Sequence, residues 1–404
     1  MSGFLFVVPP LVGHVNPAVG VAARLAARGH RVAWACADPS LVRRLAGRDA
    51  HVHACAGPVP GVDGAVRPPG LRGAEALRFL WERYLVPLAD AMAPGVHAAV
   101  TDFRPDVLVV DQQAFAGALV AERLGLPWAT SATTSAEFAG AYDGLPKVAE
   151  WLRERLAELR ARIGDPAGTA DPRYSPHLLL VFSTPELIGP QAPLGPRIHY
   201  VGPSLADRPA GPGFPWERLD PGRAKVLVTL GTANADAGDR FLAECRAALR
   251  ERADRVQAVL VDPAGTLPDD DPGKGDKDVL ILPAVPQLPL LGRMDAVVCH
   301  AGHNTVCEAL WHGVPLVVAP IRDDQPVVAA QVVDAGAGVR VRFGKVTAPR
   351  LGEALDRVLY DRVHRAAAAR VRTAFRAAGG ARAAAARLER LAADSSGRRA
   401  EEGR

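Results

Sequence analysis

The chain is 404 residues long, 49% hydrophobic and 23% charged, with a formal net charge of +4. That length exceeds one ordinary hydrophobic core and predicts two domains. So slight a charge, with no RNA- or DNA-reading motif, argues against a nucleic-acid partner and leaves room for an anionic small molecule.

In chain order, Phe4 to Val8 reads as a buried strand. Its apolar run has no basic segment before it and ends at a turn, unlike a secretory leader. Pro17 to Gly29 reads as a helix, with Asn16 as its N-cap and Pro17 as its first residue. RVAWA is the next strand, followed by a helix from about Pro39 and a short strand near His51 to Ala54. Leu77, Leu80, Trp81, Tyr84, Leu85 and Leu88 recur at spacings of three and four and share one face of a long helix. The strand VLVV (Val107 to Val110), the helix GALVAERLG and the strand PWAT follow. Between Gly202 and Gly222 proline and glycine become too frequent for a helix or an inner strand, which marks a linker. The alternation then restarts: KVLVTLG, a helix from about Gly238, QAVLV, DVLIL, DAVVC and PLVVAP. This pattern predicts two doubly wound α/β units in tandem. The last ninety or so residues read as Arg/Ala-rich helices, closing on SSGRRAEEGR as a solvated, frayed end.

No run approaches the roughly twenty apolar residues of a membrane span. The five cysteines (Cys36, Cys55, Cys245, Cys299, Cys307) are odd in number and scattered, which fits reduced thiols in a cytoplasmic protein.

The stretch CHAGHNTVCEALWHG (Cys299 to Gly313) holds two cysteines and three histidines and poses a choice between metal and anion. Cys299, His300, His303 and Cys307 match zinc ligands in number. Yet the last side chain of a strand points away from its neighbour, and Cys307 lies within the following helix as a small buried thiol. The anion reading uses the same residues with less conflict. A strand ends at Cys299, Ala301 and Gly302 turn, and a helix starts near Asn304 and stops at Gly313. Free amides at such a start attract phosphate at the carboxyl edge of a sheet. Gly302 allows close approach, and His300, Asn304 and Thr305 add donors. The other open reading is a plain strand–turn–helix junction capped by an Asn.

His300-Ala301-Gly302-His303-Asn304-Thr305 followed by Glu308 resembles the donor signature of the family 1 glycosyltransferases, the UDP-glycosyltransferase superfamily. Val285-Pro286-Gln287 upstream, Asp324-Gln325 downstream and Gly13-His14-Val15-Asn16-Pro17 after the first strand agree in order and spacing. The chain looks most like bacterial natural-product and carotenoid members. The resemblance implies a GT-B fold, two Rossmann-like domains facing across a cleft. The acceptor domain would span 1–205, a linker 206–222, the nucleotide-sugar domain 223–375, and a C-terminal helix and polar tail 376–404. It implies that His300, the turn at Gly302, Asn304 and Thr305 take the diphosphate, and that Thr232 faces the diphosphate or sugar. Glu308 would accept the ribose hydroxyls, Asp324 and Gln325 the sugar hydroxyls. Val285 and Gln287 would lie by the base, where Ala284 replaces the aromatic residue many members stack on it.

His14 matches the family's general base, a role suited to an imidazole with its pKa near the working pH. Asp111, just after the strand VLVV, matches the carboxylate partner; Asp102 and Asp106 precede that strand and fall at its other end. The implied reaction is an inverting sugar transfer from a UDP- or TDP-linked sugar to a hydroxyl of a small apolar natural product, without metal or other cofactor. The acid-rich run PDDDPGKGDKD reads as a solvated loop. Phe79, Trp81, Tyr84, Phe115 and Phe138 are candidates for an acceptor pocket, although a helical stripe of this kind is mostly core. The expected partners are a nucleotide sugar and an acceptor, in a monomer or homodimer. A catalytically silent helper protein and a sugar-nucleotide epimerase stay as alternatives.

Overall fold

A computed structural model describes residues 1–59, 68, 71, 73–135, 145–189, 197–205, 212–231, 238–267 and 276–402. Buried runs of β-branched and aliphatic residues alternate with amphipathic helices, and that alternation sets the architecture. The first half contains β1 (Gly3–Val7), α1 (Val12–Ala27), β2 (Arg31–Cys36), α2 (Pro39–Ala46), β3 (Val52–Ala54), α3 (Gly73–Leu80) and, after one wider π turn, α4 (Val86–Phe103). It continues with β4 (Val107–Asp111), α5 (Phe115–Arg123), β5 (Trp128–Ala132), α6 (Pro146–Ile163), β6 (Leu178–Val181), α7 (Pro185–Ile188) and β7 (Ile198–Tyr200). The second half contains β8 (Ala224–Thr229), α8 (Asp239–Arg250), β9 (Val256–Val261), β10 (Val279–Leu282), α9 (Gln287–Leu291), β11 (Ala296–Cys299) and α10 (His303–His312). It ends with β12 (Leu316–Val318), α11 (Gln325–Asp334), β13 (Gly338–Arg340), α12 (Ala348–Tyr360), α13 (Arg362–Ala378) and α14 (Gly380–Glu402).

Two compact units result. The first holds a seven-stranded parallel sheet of order β3-β2-β1-β4-β5-β6-β7; the second a six-stranded parallel sheet of order β10-β9-β8-β11-β12-β13. In each sheet the strand order reverses once, between β1 and β4 and between β8 and β11. Ligands of doubly wound sheets bind outside the carboxyl ends of the strands at such a switch point. Among the described residues, no helix is long and apolar enough to cross a membrane.

Two local readings change. The first helix begins at Val12, a turn earlier than Asn16: the amides of His14 and Val15 both bond the Leu11 carbonyl, at 3.0 Å each. Asn16 is therefore inside the helix, and Pro17 sits in its second turn at the loss of one backbone bond. The end of the chain is also not frayed as far as it is described. Helix α14 runs to Glu402, Ser395 is buried, and the hydroxyls of Ser395 and Ser396 bond the Leu391 and Ala392 carbonyls. This helix belongs to the first unit, where Ala384, Ala385, Leu388 and Ala392 join the core beneath α1. Glu389 ties it to Arg28 and His30 at 2.7 and 3.1 Å.

Leu388 is fully buried in that packing. Leu388→Ala should destabilise the first unit by about 2–5 kcal/mol, the usual range for an aliphatic core truncation. Denaturant unfolding followed by circular dichroism measures it, and a loss below about 0.5 kcal/mol would show that α14 is not part of this core.

Candidate functional site

In the first unit, β1 delivers the chain to the start of α1 and β4 ends beside it on Asp111. His14, in the first turn of α1, directs Nδ1 to Asp111 Oδ1 at 2.9 Å. Asp111 is 1% exposed. An ionised carboxylate buried to that degree must be met by donors. Oδ1 accepts from the Gln113 amide at 2.9 Å, and Oδ2 accepts from the Thr133 hydroxyl at 2.8 Å. Thr133 Oγ1 also lies 2.9 Å from His14 Nδ1. A carboxylate only accepts, so the bond to Asp111 assigns the proton of a neutral His14 ring to Nδ1. The lone pair then resides on Nε2, as a general base requires.

Thr133 was not singled out in the sequence. Its signal is the hydroxyl run Thr133-Thr134-Ser135 directly after β5, the neighbour of β4. Near Asp111, three side chains carry buried polar atoms with no hydrogen-bond partner: the Tyr84 hydroxyl, both amide atoms of Gln112, and the Ser131 hydroxyl. Ser131 is the register partner of Asp111 and Gln112 follows it in the chain. Burial, together with Cys36 and Asp111, pushes the Tyr84 phenol above its usual pKa. Polar groups left unmet in the interior cost on the order of 1–3 kcal/mol each, so their gathering by Asp111 suits a site that meets a ligand. Of the aromatic candidates, Trp81 and Phe115 are core residues packed on each other at 5.2 Å, and Phe79 and Tyr84 are half-buried. Phe138 lies outside the described residues. Asp106 accepts from the Gly3 amide at the far end of the sheet, and Asp102 is exposed near His53.

In the second unit, the chain leaves β11 at Cys299, turns through Ala301 in the left-handed region (φ 65°) and enters α10 after Gly302. No side chain at Gly302 caps the helix, which leaves its first turn with anion-binding character. The glycine also serves an end that its sequence does not suggest. A Cβ at Gly302 would run into the His300 imidazole, and one at Gly231 would approach His300 Cε1 to 2.7 Å. The ring thus lies against two glycines, one from each strand end of the switch point. Burial pushes His300 down to about 4; contact with the Thr229 backbone only partly offsets this, and the Arg322 charge adds to the drop. Its Nδ1 is buried with no well-aligned partner. At neutral pH His300 is a neutral donor, and Arg322, which sequence reasoning passed over in APIRDDQP, is the cation near it.

Glu308 is 1% exposed on α10 and accepts from Gln287 Nε2 at 2.7 Å, so Gln287 orients the carboxylate. Asn304 is half-buried and Thr305 buried in the first turns of α10, and Val285 is half-buried before α9. Asp324 stands at the N-cap of α11 without a capping bond of its own. Gln325 uses Oε1 to hold the amides of Ile321 and Arg322 at 2.9 and 3.1 Å, which braces the loop that carries Arg322. Thr232 lies outside the described residues.

Among the described residues, no three of Cys299, His300, His303 and Cys307 bring ligand atoms together. His303 Nε2 instead contacts Cys307 Sγ at 3.5 Å one helical turn on. Burial pushes the Cys299 thiol up to about 12 and raises Cys307 as well, which disfavours thiolate ligands.

Because His300 binds its proton less readily when folded, the unfolded chain holds more protons between about pH 6.5 and 4. Stability from this group is therefore present above about pH 6.5 and lost as pH falls towards 4, on the order of 3 kcal/mol in all. His300→Asn should flatten the pH dependence of unfolding free energy there by up to one proton. An unchanged slope would place the neutral ring in doubt.

A family model described as UDP-glucoronosyl and UDP-glucosyl transferase matches residues 216–376. The 4'-demethylrebeccamycin synthase of Lentzea aerocolonigenes is 31% identical over 406 residues, covering 90% of this chain and 93% of its own length. Demethyllactenocin mycarosyltransferase of Streptomyces fradiae is 32% identical over 415 residues, covering 97% and 87%. The crystal structure of the kitacinnamycin glycotransferase aligns at a TM-score of 0.75 and 26% identity, over 96% of this chain and 98% of that one.

Proposed function

The chain belongs to the family 1 glycosyltransferases, the UDP-glycosyltransferase superfamily, and from that premise we propose how its residues divide the transfer of a sugar. Membership makes it a GT-B sugar transferase, and the silent-helper and epimerase alternatives fall away. In our reading the reaction is a single inverting displacement. An acceptor hydroxyl oxygen forms its bond to the anomeric carbon as the bond from that carbon to the diphosphate oxygen breaks. The hydroxyl proton passes to His14 Nε2, and the bond electrons leave with the nucleoside diphosphate. Asp111 and Thr133 hold the ring and stabilise the imidazolium that forms.

On the donor, the diphosphate rests on the first turn of α10, with one hydrogen bond from neutral His300 and charge from Arg322. Asn304 and Thr305 add donors, Glu308 accepts from the ribose, and Asp324 and Gln325 contact the sugar. These fixed groups serve the role a divalent ion has in other transferases, so we propose metal-independent transfer. For the acceptor we propose a small, largely apolar natural product, in line with relatives named for demethyllactenocin and 4'-demethylrebeccamycin. The unmet polar atoms of Tyr84, Gln112 and Ser131 supply its polar contacts. The reading rests chiefly on the His14–Asp111 pair at 2.9 Å, closed by Thr133, at the switch point of the first sheet.

Incubation with UDP- and TDP-sugars and a panel of aglycones, read by mass spectrometry, should show a gain of one sugar unit and inverted anomeric configuration. His14→Ala should lower kcat by roughly 10²–10⁴-fold with donor binding retained. Full activity in that variant, or a retained anomeric configuration, would overturn the mechanism. Turnover should also persist in excess chelator; its loss, restored by Mg²⁺ or Mn²⁺, would overturn the metal-independent reading.

A further inference from the structure

His53 lies on the short strand β3 at the edge of the first sheet, and His51 stands two residues earlier, directly before that strand. Residues at i and i+2 of a strand face the same side. Their rings lie 4.6 Å apart, centroid to centroid, at 37°. The last turn of α4 brings Asp102 to them, with Oδ2 3.7 Å from His53 Nδ1, too long for a hydrogen bond. One ligand atom from each of His51, His53 and Asp102 lies within 4.8 Å of the others. Phe103 walls both rings edge-on at 5.9 and 6.4 Å, and His53 Nε2 is buried with no hydrogen-bond partner. None of these residues enters the sugar-transfer chemistry.

We propose that His51, His53 and Asp102 form a binding site for a divalent d-block cation such as Zn²⁺, bridging the edge strand β3 to the end of α4. Two imidazoles and one carboxylate suit Zn²⁺, Ni²⁺ or Cu²⁺ and leave Mg²⁺ and Ca²⁺, which take mainly oxygen ligands, poorly served. In tetrahedral zinc sites ligand atoms stand about 3.3 Å apart, so the exposed His51 and Asp102 side chains close by small rotations. The open fourth position faces solvent and takes water. Arg31 is the opposing charge nearby: its guanidinium lies 4.7 Å from the Phe103 ring centre. Its donors are engaged by the Phe103 and Arg104 carbonyls at 2.9 and 3.2 Å. Binding ties together two elements remote in sequence, and so stabilises the first unit by mass action.

The test uses the full chain, stripped with chelator, desalted and titrated with Zn²⁺ by calorimetry. One Zn²⁺ per chain should bind, raising the melting temperature by roughly 4 °C or more at saturation. His51→Ala and Asp102→Ala change exposed residues and should keep the fold by circular dichroism while weakening binding at least tenfold. His53→Ala should do the same, and if it proves unstable the other two variants still decide. Absence of binding below millimolar Zn²⁺, or an unchanged affinity in His51→Ala, would overturn the proposal.

Discussion

A buried carboxylate with an imidazole as one of its donors governs the first half-site. Asp111 is enclosed by strands, and taking a carboxylate out of water costs several kcal/mol unless donors meet it. The Gln113 amide, the Thr133 hydroxyl and His14 Nδ1 supply that compensation together. The same requirement that satisfies Asp111 fixes the His14 tautomer, and the tautomer decides which ring nitrogen can take a proton. Stability and chemistry here are one constraint, because the carboxylate position is set by β4 and the ring position by the first turn of α1.

The second unit solves a complementary problem at the equivalent place in its own sheet. In the proposed reading it receives negative charge without a charged imidazole, because burial against Gly231 and Gly302 disfavours a protonated His300. Backbone amides at the start of α10 offer partial positive charge that does not titrate, and the Arg322 guanidinium lies near His300. Gln325 contributes indirectly by fixing the amides of Ile321 and of that arginine, and Gln287 orients the Glu308 carboxylate. Preorganisation, rather than recruited charge, is the common theme.

Much of this was legible in the sequence, and the failures have physical causes. Buried parallel strands announce themselves as short aliphatic runs, so FLFVV, VLVV, KVLVTLG and DAVVC were legible as the strands that the structure sets at both switch points. The start of α1 was misread because Asn-Pro is a strong local helix-start signal. Yet the Leu11 carbonyl already accepted two amides, and Pro17 was tolerated at the loss of one bond. The polar composition of SSGRRAEEGR hid a helix whose preceding turns are anchored by Leu388 and Leu391 in the first core. Thr133 and Arg322 were missed because their roles arise from neighbours distant in the chain. Gly302 also makes room for the His300 ring, a contact that no local pattern reveals.

The placement of the proton on His14 tests the account most directly. Nitrogen-15 NMR of histidine-labelled protein, near neutral pH and without ligands, distinguishes the two tautomers. The neutral His14 ring should show a protonated Nδ1 and an unprotonated Nε2, with the preference weakened in Asp111→Asn. A neutral ring protonated on Nε2 would leave no base facing the acceptor hydroxyl and would contradict the central claim.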